Sequence, residues 1–335
     1  MANKTNKVGL CIVGCGGFAK VHASLLQQKS ERVDLYFASR THEKAVQYAK
    51  TYGGADAFGS YQAAAEDPRV DSLLFCTPHS LHRENAEMAA SCGKNILMEK
   101  PIVTTVDDAI AMQKAAERAG VKFMVSENFR YMPVVRACAD MLNQGAIGTL
   151  RSLHFQAFGY HLPQEWRRSL KMRGGGSLID GGIHYVAALR VLGGMTDWVS
   201  AATPPKLFPE IAGAEEISLI AGFSSGAIGT ITYSEATVGE RRRQMAWVLG
   251  TEGHITFDFN KLELSVATSE NRRTVSLEGE GNGVSQEQDA FLDLVTEQRP
   301  VLSTPQEGTG DLALVLAAYE SAKSGGQPIH PTPNG

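Results

Sequence analysis

The sequence carries no surplus of positive charge: 32 Lys and Arg stand against 36 Asp and Glu, a formal net charge of −4. A protein built to hold a polyanion has the opposite balance, so nucleic acid is not expected as a partner. Cysteine is sparse and odd in number, at Cys11, Cys15, Cys76, Cys92 and Cys138, with no CxxC pair. That usage reads as reduced thiols rather than a disulfide framework and points to the cytoplasm. No stretch approaches 18 uninterrupted apolar residues, and no charged-then-apolar leader precedes Val8, so neither a membrane span nor secretion is expected. Potential ligands do not cluster at metal-binding spacing, and no metal is expected. What is present is an ordinary globular mix, 43 % hydrophobic over 335 residues. That length suits two domains at roughly 100–200 residues each.

The first part of the chain alternates short apolar runs with helix-period segments. Runs rich in Val, Leu, Ile and Phe fall at Val8–Val13, Val33–Ala38, Ser72–Cys76, Asn95–Met98 and Lys122–Val125, as for strands covered on both faces. Helical patterns lie between them at Phe18–Gln28, Glu43–Tyr52, Leu81–Cys92 and Val106–Ala119, with Thr41 and Thr105 as N-caps. This predicts an α/β domain over residues 1–127, a doubly wound parallel sheet. Residues 128–335 read as α+β. Helices are expected at Val134–Asn143, Ser177–Val191, Ser285–Glu297 and Glu307–Ser321. Strands are expected at Arg151–Phe158, Ile217–Phe223, Ala227–Ser234, Gln244–Leu249, His254–Phe257 and Leu262–Val266. Ser225–Gly226 and Thr251–Glu252–Gly253 look like hairpin connections, so the second sheet is mostly antiparallel.

Gly14–Cys15–Gly16–Gly17–Phe18–Ala19 follows the first strand and opens the first helix, the context a dinucleotide-binding GxGxxA turn requires. The first glycine allows the turn, the second admits a pyrophosphate, and Ala19 lets helix pack on strand. An acid at the end of the second strand would read a ribose 2′-OH. Here stand Ser39, Arg40 and Thr41 instead, and Arg40 with Ser39 suits a 2′-phosphate. NADP is therefore preferred over NAD, although Arg40 as a loop residue on the adenine of NAD remains open. Two further strand ends, Thr77–Pro78–His79 running to His82 and Glu99–Lys100–Pro101, lie where open α/β sheets bind ligands. His22 and His82 read chiefly as structural residues. Asp180 and His184 share a helix face, with Gly181 and Gly182 between them as if a bulky ring must approach. A histidine aligned with a carboxylate suits removal of a hydroxyl proton. Tyr160, His161, Trp166, Arg167, Arg168 and Lys171 precede that helix as candidate sugar contacts or a plain mixed-charge loop, and Arg241–Arg242–Arg243 reads as a strand-edge charge cluster.

With these residues and with Glu127–Asn128–Phe129–Arg130–Tyr131, Gly145–Ala146–Ile147–Gly148 and Gly250–Thr251–Glu252–Gly253, the chain resembles the Gfo/Idh/MocA oxidoreductases over nearly its whole length. The resemblance implies an N-terminal Rossmann domain holding NAD(P) and a C-terminal α+β domain whose open sheet serves substrate and subunit contacts. It makes Lys100 the residue on nicotinamide ribose and substrate hydroxyl, His184 the acid/base, and Asp180 a group that positions substrate or assists His184. The candidate cofactor contacts are Gly14, Gly16, Gly17, Phe18, Ala19, Ser39, Arg40, Thr77, Pro78, His79, His82, Glu99, Lys100 and Asn128. The candidate substrate contacts are Lys100, Tyr160, Trp166, Arg167, Asp180 and His184. Ala187 stands where many members have an Asp three residues after the histidine. The expected activity is hydride transfer between NAD(P) and a secondary alcohol of a sugar, inositol or sugar derivative, by a homodimer or homotetramer. Two alternatives are a redox-neutral glycoside-cleaving enzyme that recycles its cofactor and a non-catalytic dinucleotide-responsive binding protein.

Overall fold

The computed structural model describes residues 7–240, 243–278 and 281–332. Arg241 and Arg242 of the charge cluster, and most of the polar lead before Val8, lie outside the described residues. The chain divides into two compact units, Met1–Ser126 with Val284–Pro305 and Glu127–Gly283 with Gln306–Gly335. The sequence reading ran the second domain unbroken to the C-terminus, whereas the structure returns Val284–Pro305 to the first unit.

The first unit carries β1 (Val8–Val13), α1 (Gly17–Leu26), β2 (Val33–Ala38), α2 (His42–Tyr52), β3 (Asp56–Phe58) and α3 (Tyr61–Glu66). It continues with β4 (Ser72–Phe75), α4 (His82–Ser91), β5 (Asn95–Glu99), α5 (Val106–Ala119) and β6 (Phe123–Ser126). Its six strands are parallel in the order β3-β2-β1-β4-β5-β6, a Rossmann sheet whose winding reverses between β1 and β4. Every residue of β1 and β4 is buried, which is why these strands show no polar alternation. Thr105 caps α5 by accepting from Asp108 N at 3.2 Å, and Gly120 ends it in the left-handed conformation. Thr41 occupies the N-cap position of α2 but makes no side-chain cap bond, contrary to expectation. β3 and α3 were not foreseen.

The second unit begins with α6 (Pro133–Asn143), β7 (Leu150–Phe158) and the single turn α7 (Leu170–Arg173). A π-helical turn over Leu178–Gly182 then runs into α8 (Ile183–Gly193). The strands β8 (Thr196–Ala202), β9 (Glu216–Phe223), β10 (Ile228–Ser234), β11 (Arg243–Gly250), β12 (Gly253–Asp258), β13 (Glu263–Thr268) and β14 (Arg272–Ser276) follow. They join β7 in an eight-stranded sheet of order β14-β13-β12-β11-β7-β10-β9-β8. All pairs are antiparallel except β7 with β10, and both expected hairpin connections are present. β8 and β14, the two edges, were not foreseen. Leu153, Phe155 and Ala157 of β7 point inward, with Ser152 and Gln156 on the other face. α8 is apolar nearly all round and almost wholly buried, as a helix inside a core must be. Phe259 centres an aromatic cluster with Phe129, Phe155, Tyr185 and Phe257, ring centroids 5.0–5.4 Å apart. Burying each such ring contributes about 1.5–3 kcal/mol.

Of the last two helices, α9 (Val284–Glu297) belongs to the first unit and α10 (Pro305–Lys323) almost entirely to the second. Lys29 and Arg32 pair with Asp289 and Asp293 of α9 at 2.6–3.2 Å, and Gln288 donates to His22. These bonds explain why a helix so late in the chain packs with its first turns. Among the described residues no helix is long and apolar enough to cross a membrane.

Candidate functional site

In the first unit, Gly14 ends β1 at φ +96°, where an L side chain is strained, and a Cβ there would lie 2.7 Å from the Cys76 carbonyl oxygen. The turn after β1 is thereby pressed against the end of β4, at the reversal of strand order. Gly16 and Gly17 differ: a Cβ at either would meet nothing within 4 Å. The backbone N–H groups at the start of α1 face an open cradle of the kind a pyrophosphate fills, so the residues present fit a dinucleotide. Ala19 is buried and Phe18 is 40 % exposed. Tyr48, which the sequence reading passed over, donates its hydroxyl to Gly16 O at 3.0 Å and steadies the turn. Burial pushes the Cys15 thiol up to about 11 and the Tyr48 phenol up to about 12.

At the end of β2, Ser39 is buried and receives Thr41 N on its hydroxyl at 3.2 Å, while Arg40 is exposed, with its guanidinium toward the Tyr61 hydroxyl. At the end of β4, Asn85 donates to Thr77 Oγ1 at 2.9 Å. Pro78 and the buried His79 open a 3₁₀ turn leading to His82. The ring of His82 is fully buried. Its Nε2 faces Thr77 O at 3.1 Å and its Nδ1 faces Pro101 O at 2.9 Å. His82 therefore ties two strand-end loops together and does not offer a surface to cofactor, which corrects its placement among contact residues. Burial lowers its pKa against the pull of those carbonyls. At the end of β5, Glu99 accepts from His22 Nε2 at 2.7 Å and from Lys100 N at 3.2 Å, so that Glu99 anchors the backbone of the Lys100 segment. Ser126 lies between Glu99 and Glu287, at 3.2 and 2.5 Å.

In the second unit, Asp180 lies in the π-helical turn and His184 in the first turn of α8. π turns are rare and concentrate at functional positions. The carboxylate hydrogen-bonded to His184 is Glu127 rather than the expected Asp180: Nδ1 lies 2.7 Å from Glu127 Oε1. The imidazole stacks on Phe129 at 4.8 Å between centroids, on the edge of the aromatic cluster. Asp180 is instead gripped on Oδ2 by Arg167 Nε at 3.0 Å and Arg173 Nε at 3.1 Å. Arg173, nearly inaccessible, also bonds Glu235 Oε2 at 3.0 Å, and Tyr233 donates to Glu235 Oε1 at 3.0 Å. Burial opposes the charge on Arg173, and Asp180 with Glu235 more than offsets it, holding the guanidinium above its usual range.

The glycines between Asp180 and His184 are crowded by the protein's own side chains. A Cβ on Gly181 would lie 2.0 Å from Tyr233 Oη, and one on Gly182 would lie 2.7 Å from Leu178 Cδ1. Tyr233 is the ring that approaches Gly181, and Gly182 is crowded chiefly by Leu178. Arg167 covers a face of Trp166 at 4.4 Å, and Tyr160 is exposed. Asn128 donates its amide to Asn282 O, pinning the turn after β6. Sequence reasoning gave no site role to Glu127, Arg173, Tyr233 or Glu235. Only Glu127 left a signal, an acid at the carboxyl end of a parallel strand.

Known proteins match the chain along both units. The model of an oxidoreductase family with an NAD-binding Rossmann fold matches residues 8–127, and that of a GFO/IDH/MocA C-terminal domain matches residues 135–256. The levoglucosan dehydrogenase of Pseudarthrobacter phenanthrenivorans is 27 % identical over 69 % of this chain and 66 % of its own, so the chain spans just under two thirds of that relative. The D-xylose 1-dehydrogenase (NADP(+)) 2 of Haloferax volcanii is 26 % identical over 94 % of this chain and 97 % of its own. A solved structure, the aldose-aldose oxidoreductase of Caulobacter crescentus complexed with glycerol, superposes with a TM-score of 0.87 at 25 % identity, covering 97 % of this chain and 99 % of that one. A Rossmann unit with an open phosphate cradle, followed by an α+β unit matched by its own C-terminal model, places the chain in the Gfo/Idh/MocA oxidoreductase family.

Proposed function

We propose that the chain oxidises a secondary alcohol of a sugar, inositol or sugar derivative, or reduces the matching ketone, with His184 as acid/base and Lys100 as the donor to the reacting oxygen. The observation that carries the reading is the cradle at Gly16 and Gly17, open where a side chain would close it, at the reversal point of a Rossmann sheet. Bound NAD(P), its pyrophosphate held at that cradle, would supply the hydride chemistry. The protein's own part is position and proton handling. His184 Nε2 takes the hydroxyl proton, the ammonium of Lys100 stabilises the developing negative oxygen, and Asp180, fixed by two arginines, accepts from a neighbouring hydroxyl. Trp166 and Arg167 line the approach. Gly14, Phe18, Ala19, Thr77, Pro78, His79, Glu99 and Asn128 shape the cofactor's surroundings.

NADP is the preferred cofactor because β2 ends without an acid and Arg40 stands exposed beside Ser39, where a 2′-phosphate would be held. The relative named for D-xylose and NADP(+) is in keeping with this. The relatives named for levoglucosan and D-xylose dehydrogenation favour oxidation over redox-neutral cleavage or a non-catalytic role. A homodimer or homotetramer joined through the second face of the eight-stranded sheet completes the reading, in the cytoplasm given the cysteine usage. The test is paired. Lys100→Ala and His184→Ala should still bind dinucleotide yet lose at least about 10²-fold in turnover. Wild-type turnover in both would refute the assignment. Arg40→Ala should weaken NADPH more than NADH, and equal loss would remove the NADP preference.

A further inference from the structure

His184 is the one candidate catalytic side chain whose ring orientation is fixed from behind by a buried acid. Glu127 is 1 % exposed, stands at the carboxyl end of β6, and presents Oε1 to Nδ1 of His184 at 2.7 Å. The same oxygen accepts Phe129 N at 3.1 Å, so the carboxylate is held by the turn it begins. That turn is locked in turn: Arg130 bonds both oxygens of Asp311 at 2.7 and 2.8 Å, and Asp311 also receives Arg190 at 2.5 Å. The other oxygen of Glu127, Oε2, is buried and has no hydrogen-bond partner among the described residues. A backbone N–H alone needs no more than a smaller, exposed cap, so a carboxylate buried here has a further partner to serve. The arrangement makes sense if the histidine, not the turn, is what the carboxylate serves.

We propose that Glu127 is the positioning residue for His184, and that it sets the tautomer on which the reaction depends; this rests on the reading of His184 as acid/base. An ionised carboxylate only accepts, so Nδ1 must carry the hydrogen, and the lone pair of the neutral ring lies on Nε2. Phe129 stacked on the ring fixes its plane at the same time. In the oxidation direction the substrate O–H bond breaks and an Nε2–H bond forms. The Nδ1 hydrogen stays where it is, and the imidazolium that results lies against the negative charge of Glu127. Asp180, four residues before His184, has a different task because its Oδ2 is already taken by Arg167 and Arg173.

The experiment reads the tautomer directly. In the full-length protein with ¹⁵N-labelled histidine, the resonances of His184, one of nine histidines, are assigned by their loss in His184→Asn. At a pH where the ring is neutral, the wild type should show hydrogen on Nδ1. In Glu127→Gln the amide can donate to Nδ1, so the hydrogen should move substantially to Nε2. With a substrate in hand, Glu127→Gln should lower kcat by about 10²–10⁴-fold and leave KM within about twofold, and Glu127→Asp should recover part of kcat. A wild-type ring with its hydrogen on Nε2 would overturn the proposal, even if every Glu127 variant failed to fold. So would a Glu127→Gln protein with unchanged kcat. The expected tautomer in a protein whose His184→Ala variant turns over normally would uphold the geometry and overturn the catalytic role, and with it the acid/base reading itself.

Discussion

Gly181 offers a sharp test of how the second unit builds its candidate site. Its backbone does not require glycine, since its φ is outside the left-handed range, and alanine is favoured by about 1 kcal/mol inside a helix. Yet the added Cβ would sit 2.0 Å from Tyr233 Oη, inside any tolerable contact, with the next nearest atoms 3.1 Å away. Relief requires Tyr233 to move, which breaks its 3.0 Å bond to Glu235, the carboxylate that shares Arg173 with Asp180. Overpacking costs about 1–3 kcal/mol and a hydrogen bond to a charged group about 1.5–3 kcal/mol. Gly181→Ala is therefore expected to destabilise by about 2–4 kcal/mol after the helix gain. Tyr233→Phe alone loses the hydrogen bond only. In the double variant the clashing oxygen is gone, so the alanine adds little further loss. Urea unfolding of the four proteins should give a coupling energy of about 1–3 kcal/mol in the rescuing direction. Additive losses would mean that the two residues do not meet as described, and the account of these glycines would fall.

Other expectations follow from the same geometry. Tyr48→Phe removes the bond to Gly16 O, worth about 1 kcal/mol, and should weaken dinucleotide binding about fivefold by calorimetry; unchanged affinity would show that the turn needs no such support. Arg173→Met leaves Asp180 and Glu235 without a shared cation in a buried setting and should cost about 3–5 kcal/mol in chemical denaturation. A loss under about 1 kcal/mol would place that network in solvent. Because burial raises Cys15 to about 11, its alkylation by iodoacetamide should be slow at pH 8 and accelerate toward pH 11. Rapid labelling at pH 8 would contradict this.

How much of this was legible in the chain depended on range. β1, β2, β4, β5 and β6 could be read because burial on both faces leaves nearly continuous apolar runs, whereas β3 is one exposed and two half-buried residues with no such run. β14, Arg-Arg-Thr-Val-Ser, is a polar edge strand whose pattern is that of a loop, and β8 is masked by the small residues Ser200, Ala201 and Ala202. The glycine turn and the strand-end Glu99–Lys100 were legible because their chemistry is local. Glu127 and His184 lie 57 residues apart, and no local pattern could say which acid His184 would meet. Asp180, at helical spacing, was the natural choice. It was displaced by a π turn and by two arginines that approach from a different segment. The two glycines signal close approach, and the protein group nearest Gly181, Tyr233, comes from β10, too far along the chain for a local pattern to name.

The most direct measurement is absorbance at 340 nm during incubation of the purified protein with NADP⁺ or NAD⁺ and a panel of aldoses, anhydrosugars and inositols, alongside His184→Ala. The account predicts formation of reduced cofactor with at least one of these polyols, faster with NADP⁺, and its loss in the variant. No reduction across the panel, with the corresponding ketones also inert toward NADPH and NADH, would contradict it.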